Sequence, residues 1–459
     1  MSDPIIAPTV AKFFQRMAAR SDRRAVESDD GTLTYRELLA ASEQWIERLK
    51  AEAVGAGTVC GYVGDYSPDS IALFLALMQL GAIALPLTVP AERDLPRLAG
   101  IAGLERLVRF ETNGTATVEH CELPVNALVQ DFRKVGHPGL IVFTSGSAGT
   151  PKGILHDLER VLGKFVTERH GWRTILFLMM DHFGGVNTLL ASLAYGGTGI
   201  CVRDRSPEVV CQTIARSGAE LLPTTPTFLN MIVASGMWRH HELSSICLIT
   251  YGTEPMPDAT LRRVHEIFPR AELKQTYGLS ELGVLRSQSP DQGSLWLRVG
   301  GEGFETRIVG GVLHVRSSSS MVGYLNAPSP IDADGWMNTG DLVEERDGLI
   351  RFLGRVTEVI NVGGQKVFPM EVEAVLREAD NIVEATVFGV RHPLLGQVVC
   401  ARVSLEKPEL DNALADRLHQ HCRARLAKFK VPLRFEVTEL SVQATERAKK
   451  RRLSSDASF

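Results

Sequence analysis

The chain has 459 residues, 44% apolar and 23% charged, with a formal net charge of −4. That length exceeds one ordinary core, so two or three packed units are expected. The slight acidity excludes a general attraction to nucleic acid or to anionic membranes.

The seven cysteines are an odd number, widely scattered, and form neither metal-ligand spacing nor a disulfide framework. Asp3, Pro4 and Pro8 interrupt the start, so no secretory leader is expected. The most apolar helical stretch, Ile71 to Leu80, is only ten residues and too short to span a bilayer. A cytoplasmic protein with reduced thiols, no nucleic-acid partner and no membrane partner is the expectation.

Thr34-Tyr35-Arg36-Glu37 is a capping box opening a helix, and Tyr35, Leu38, Leu39, Ser42, Trp45, Ile46 and Leu49 then follow at helical spacing on one inward face. Val59 to Val63 reads as a strand and Ser67-Pro68 as the start of a buried helix that Gly81 ends. Ala82 to Leu85 is the next strand. Leu140 to Phe143 ends another buried strand. The order then repeats, with helices at Pro207 to Arg216, Thr227 to Ala234 and Pro257 to Phe268. Strands at Ala219 to Leu222, Ile246 to Thr250 and Glu272 to Gln275 alternate with them. Such alternation predicts an α/β fold of parallel sheets covered by helices, with ligands at the carboxyl ends of the strands. Gly300 to Gly354 reads as a small β-rich subdomain. Beyond it come Val356 to Val362 (strand), Pro369 to Glu378 (helix), Ile382 to Val390 and Val399 to Val403 (strands), Leu414 to Leu426 (helix) and Phe435 to Leu440 (strand). That is an α+β module of about a hundred residues. Two domains are expected, 1–354 and 355–459.

One stretch organises the rest. Thr144-Ser145-Gly146-Ser147-Ala148-Gly149-Thr150-Pro151-Lys152-Gly153 follows a buried strand. Its small hydroxyl residues and glycines let the backbone turn tightly and point N–H groups at an anion, and Lys152 adds a positive charge. It is not a Walker loop, because Lys152 lies three residues past Gly149 and no Ser or Thr follows it. A plain Gly/Ser surface turn is the competing reading. The order of residue types resembles the T-S-G-[ST]-T-G-x-P-K-G signature of adenylate-forming enzymes, the superfamily of acyl-CoA synthetases and adenylation domains. Ala148 stands where threonine is usual.

The resemblance covers nearly the whole chain and implies a large N-terminal domain followed by a small mobile C-terminal lid. Tyr277-Gly278-Leu279-Ser280-Glu281 resembles the Y-G-x-[ST]-E motif, implying Tyr277 and Gly278 at adenine, Ser280 at phosphate, and Ser280 and Glu281 at magnesium. A hard cation beside a triphosphate suits a carboxylate oxygen. Taken alone, the same residues read as a turn entering a helix with Ser280 as its cap. Tyr251-Gly252-Thr253-Glu254-Pro255 resembles the adenine-contacting G-A-E-P turn, and Thr339-Gly340-Asp341 the T-G-D motif whose aspartate holds the ribose. Gly354-Arg355 resembles the G-R pair at the domain boundary, with Arg355 also near the ribose. Leu440 to Lys449 resembles the L-P-x-T-x-x-G-K segment, implying that Lys449 neutralises charge as the carboxylate attacks phosphorus. A solvated basic tail is the competing reading there, and Ala448 replaces the usual glycine. Gly363-Gly364 resembles the glycine loop that lines the thiol's approach in a second conformation, and is equally a hairpin turn. Thr357 stands where the hinge residue is expected, so the hinge is unassigned.

Met179-Met180-Asp181-His182-Phe183-Gly184-Gly185 resembles the F-H-x-x-G segment of acyl- and aryl-CoA synthetases, with His182 as a wall of the acid pocket. It suggests an acid without an α-amino group, though Asp181 keeps an amine open. Gly185, Val186, Asn187, Thr225 and Tyr251 are expected to shape the same cavity.

The function implied is ATP- and magnesium-dependent activation of a small-molecule carboxylic acid to an acyl-adenylate, then transfer to a thiol with release of AMP. CoA is the favoured acceptor, with Lys428, Lys430 and Arg434 available to its phosphates or to an acidic helix. The alternatives are loading of a carrier protein's phosphopantetheine and, given Ala148, Thr357 and Ala448, a nucleotide-binding protein without chemistry.

Overall fold

The computed structural model describes residues 7–110, 115–144, 150–254, 256–291, 294–301 and 303–439. Two seven-stranded sheets organise the first part of the chain. In one, strands Glu272–Gln275, Leu248–Tyr251, Leu221–Thr224, Arg173–Ile175, Thr198–Ile200 and Arg24–Ser28 are parallel in that spatial order, and Gly31–Thr34 closes the edge as an antiparallel hairpin. In the other, Gly139–Thr144, Ile83–Leu87, Val59–Val63 and Arg106–Phe110 are parallel. Antiparallel strands flank them: Ala116–His120 on one side, Lys152–Asp157 and then Gly323–Tyr324 on the other.

The strands that run as unbroken apolar stretches are those buried on both faces, as parallel sheets require. Val59–Val63 and Ile83–Leu87 have no exposed residue. Helix Pro68–Gln79 lies in the same core with nine buried side chains, its start set by Ser67 accepting from the Ser70 amide and by Pro68 at its first position. Helix Tyr35–Ala51 opens with the expected capping box, Thr34 and Glu37 each satisfying the other's amide. Such a cap is worth roughly 1 kcal/mol.

Beyond the parallel strand Glu272–Gln275 the chain turns to antiparallel pairing. Phe304–Val309, Val312–Ser317, Trp336–Arg346 and Leu349–Arg355 form one four-stranded sheet. A final unit packs helices Pro369–Arg377 and Asp411–Arg423 on a sheet of Ile382–His392, Gly396–Leu405, Arg434–Val437 and the hairpin Ile360–Val362/Gln365–Val367, around its own apolar core.

Two expectations need correction. Val356 to Val362 is not one strand: a 3-10 turn at Val356–Glu358 precedes a short strand at Ile360–Val362. Its run of valines suited either form, and the turn leaves Val356 exposed. Nor does Tyr277 to Glu281 enter a helix. Tyr277–Leu279 pairs antiparallel with Gly283–Gln288, so sheet pairing overrides the capping signal of Ser280.

Candidate active site

The carboxyl ends of the parallel strands open into a cavity of about 1400 Å³ between the two sheets. The predicted site residues that the structure describes can be placed against it. Thr144, His182, Gly252, Thr253, Gly278, Ser280, Glu281 and Arg355 line it. Ser145, Gly146, Ser147, Ala148 and Gly149 of the glycine loop lie outside the described residues, as do Pro255 and Lys449. The remaining predicted residues, Lys152, Glu254, Tyr277, Asp341, Gly363 and Gly364, are not among those that line it.

Lys152 begins strand Lys152–Asp157 directly opposite Thr144, so the two ends of the glycine loop are held as neighbours. Asn326 fixes the second arm, its amide donating to Pro151 O at 2.8 Å and its carbonyl accepting from Gly153 N at 3.0 Å. The Lys152 ammonium lies 4.9 Å from the ring centre of Tyr324, a cation–π contact worth about 0.5–1 kcal/mol at an exposed site. Tyr324 in turn donates its hydroxyl to Glu281 Oε1 at 2.6 Å. Burial pushes the Tyr324 phenol up, and the Glu281 carboxylate beside it adds to the shift. Lysine, tyrosine and glutamate thus form one row from the loop to the cavity wall. Nothing in the sequence ranked Tyr324 or Asn326 as site residues.

Gly252 and Gly278 are required by crowding. A Cβ at Gly252 would stand 2.5 Å from Thr276 Oγ1, and one at Gly278 2.8 Å from Gly283 O. Thr253 has φ +69°, a left-handed conformation that a β-branched residue adopts only under constraint. Glu254 explains part of that constraint. Its carboxylate turns away from the cavity and accepts from Thr227 N at 3.1 Å and Thr227 Oγ1 at 2.7 Å, at the start of helix Pro226–Ser235. A carboxylate there also meets the positive end of the helix dipole.

Asp341 and Arg355 face each other across the hairpin Trp336–Arg346/Leu349–Arg355. The turn is Asp347-Gly348, both at positive φ, as a two-residue primed turn requires. A register shift between Leu342 and Val343 then sets Asp341 opposite Arg355 rather than Gly354. Arg355 Nε lies 3.1 Å from Asp341 Oδ1, and Tyr277 donates its hydroxyl to Oδ2 at 2.6 Å. Burial raises the Asp341 carboxyl above its ordinary value, against the lowering pull of Arg355 and Tyr277. One face of the Tyr277 ring is stacked on Phe352, with centroids 4.6 Å apart.

His182 caps helix Phe183–Ala194, its Nδ1 accepting from Gly184 N at 3.1 Å. The ring therefore carries its proton on Nε2. Beside it, Asp181 is buried and accepts from Thr88 Oγ1 at 2.9 Å, linking the two sheets. Beyond the cap, Gly184, Asn187, Thr188, Ala191, Ser192 and Tyr195 line the cavity at helical spacing. Of the five residues expected to join His182 in shaping the acid pocket, only Asn187 lines the cavity. Gly185, Val186 and Tyr251 are turned into the core, and Thr225 caps helix Pro226–Ser235. Successive helix residues turn by about 100°, so Gly185 and Val186 leave the cavity face that Gly184 and Asn187 share, and the run next to His182 was a poor guide.

Among the described residues, Gly363 and Gly364 form the two-residue turn of hairpin Ile360–Val362/Gln365–Val367, both at positive φ. Lys430, offered as a phosphate contact, instead pairs with Glu371 at 2.5 Å.

Residues 13–96 and 108–324 match the family model described as "AMP-binding enzyme", and residues 371–449 match "AMP-binding enzyme C-terminal domain". The chain is 28% identical to an indoleacetate–CoA ligase of Aromatoleum aromaticum over 89% of its length and 90% of the relative's. It is 26% identical to a 2-succinylbenzoate–CoA ligase of Bacillus subtilis, covering 93% of each. It is also 26% identical to a medium/long-chain-fatty-acid–[acyl-carrier-protein] ligase of Mycobacterium tuberculosis, covering 92% of this chain and 89% of that one. Among solved structures, the anthranilate CoA ligase AuaEII in complex with anthranoyl-AMP superposes with a TM-score of 0.80 at 21% identity, covering 98% of this chain and 97% of that one. The chain therefore belongs to the AMP-binding enzyme family.

Proposed function

We propose that the chain joins a carboxylic acid to a thiol at the expense of ATP, through an acyl-adenylate, with CoA as the favoured thiol. The observation that carries this reading is convergence. Thr144, Ser280, Glu281, Gly252, Thr253 and Arg355, drawn from both sheets and the β-rich subdomain, line one cavity with His182. The curated relatives named above are all acid–thiol ligases, which supports the same reading.

In this reading Asp341 and Arg355 take the ribose hydroxyls, and the backbone at Gly252–Thr253 takes the adenine. The turn Thr144 to Gly153 takes the phosphates. Glu281 fits magnesium: it is a carboxylate on the cavity wall, and this ion is held by one or two carboxylates with water and phosphate oxygens. When bound, the ion would neutralise phosphate charge. The residues themselves position the reactants: Tyr324 fixes one oxygen of Glu281, and His182 holds the wall where the acid enters. Most of the rate gain in such a transfer comes from positioning and charge neutralisation. We place the boundary between a large domain and a C-terminal lid at Gly354–Arg355, with Lys449 delivered by the lid for the first step and Gly363–Gly364 for the second.

Loading of a carrier protein is the second reading, favoured by the carrier-protein ligase among the relatives. Thioester formation with free CoA alone supports the first. Thioester formed only after a phosphopantetheinylated carrier is added would replace it with the second.

A further inference from the structure

We propose that the acid taken by this chain is a dicarboxylate, its second carboxylate seated at the far end of the cavity, beyond helix Phe183–Ala194. This deepens the acid-activation reading and rests on it.

The lining face of that helix runs from Gly184 to Tyr195. Eleven rises of ~1.5 Å between these two residues make this wall about 16 Å long. The end at His182 carries the lining carboxylates Asp181 and Glu281, with the phosphate-side turn beside them. The other end is cationic. Arg169 lines the cavity there with Tyr195, and among the described residues no carboxylate is within ion-pair distance of it. Its neighbour Glu168 is taken by Arg16 and Arg20.

Behind the wall lies a second cation. The Lys164 ammonium donates to Asn187 Oδ1 and, at 3.1 Å, to Val284 O. Asn187 and Val284 are both lining residues. Burial, reinforced by the like charges of Arg286 and Arg169, pushes that ammonium down to about 7. Arg169 and Arg286 act on the Tyr195 phenol too, so these groups share one locality. Two cations as close as Arg169 and Lys164 are expensive to bring together unless an anion joins them.

A separate observation points the same way. Ser192 lines the cavity at this end with its side chain 5% exposed, and its hydroxyl has no hydrogen-bond partner among the described residues. Buried hydroxyls are seldom left so, and an incoming acceptor would satisfy it. A hydrocarbon tail would lie against this hydroxyl and the Arg169 guanidinium and leave both unpaired. A carboxylate accepts from Ser192 and faces Arg169, with Lys164 one shell behind.

The test is pyrophosphate release from ATP with straight-chain diacids and monoacids matched in length. The expected result is a diacid preferred in kcat/KM by about tenfold or more, the equivalent of one good charge contact. R169Q and S192A should each collapse that ratio by raising KM for the diacid while leaving its kcat little changed. Wild-type enzyme that uses monoacids as well as or better than diacids overturns the proposal and leaves acid activation standing. Release with neither series also overturns the proposal, and acid activation falls with it only if a wider panel that includes aromatic acids gives no release either.

Discussion

The hydroxyl of Tyr277 is bonded to the carboxylate of Asp341 at 2.6 Å, across 64 residues of sequence, inside a buried contact. Arg355 holds the other oxygen of that carboxylate. Two motifs that are separate in sequence are therefore one unit. Replacing Asp341 with Asn weakens both contacts and removes a double acceptor for hydroxyls. D341N should raise the KM for ATP about tenfold or more with an unchanged circular dichroism spectrum. Y277F should leave a buried carboxylate oxygen unsatisfied, at a cost of about 1–3 kcal/mol, read as a fall in Tm. Unchanged ATP kinetics in D341N would remove Asp341 from the nucleotide site.

Glu281 and Tyr324 separate function from support. E281Q keeps the shape and an acceptor for Tyr324 but loses the charge offered to a cation. Acid-dependent pyrophosphate release should fall about a hundredfold or more, as when a preorganised electrostatic group is removed, with partial recovery at high magnesium. Y324F should cost only a few fold, because one of the two carboxylate oxygens keeps its freedom. Equal losses in the two variants would mean that Glu281 matters through its bond to Tyr324.

His156 sits fully buried on strand Lys152–Asp157, its ring 4.5 Å from that of Phe183. Burial pushes its pKa down to about 3, only partly opposed by the Ser280 backbone. The folded value is below the unfolded one, near 6.5, so the unfolded chain binds more protons between them. This stability is fully present above about 6.5 and is lost as pH falls toward 3, by at most about 1.4 kcal/mol per unit. His156→Leu should flatten the decline of Tm between pH 6.5 and pH 4. A slope equal to that of the parent protein would show that other groups govern acid unfolding.

Lys449 lies outside the described residues, and its role is tested by splitting the reaction. K449A should abolish acyl-adenylate formation while sparing thioester formation from supplied acyl-adenylate. Equal loss in both steps, or full activity, would contradict the role.

Much of this was legible in the residues, for identifiable reasons. The capping box at Thr34, the buried helix at Pro68 and the parallel strands follow from local chemistry and apolar runs, and each lies where the sequence places it. Gly252 and Gly278 were legible as motif glycines, and crowding by Thr276 and Gly283 supplies the reason. What was hidden depends on pairing. The bulge that sets Asp341 against Arg355, and the contact of Tyr324 with Glu281, exist only once distant strands have found their register. The acid pocket was misread in part because the helix turns Gly185 and Val186 off the cavity face while Gly184, Asn187 and Thr188 stay on it. The wall recurs at three- and four-residue intervals along the helix instead.

The central claim is that the cavity makes an acyl-adenylate. Incubating the enzyme with ATP, magnesium and a panel of carboxylic acids, including diacids, and measuring both pyrophosphate and AMP tests it directly. The account predicts acid-dependent pyrophosphate release, with AMP following once CoA is added. ADP and inorganic phosphate as products, or no release with any acid, would contradict it.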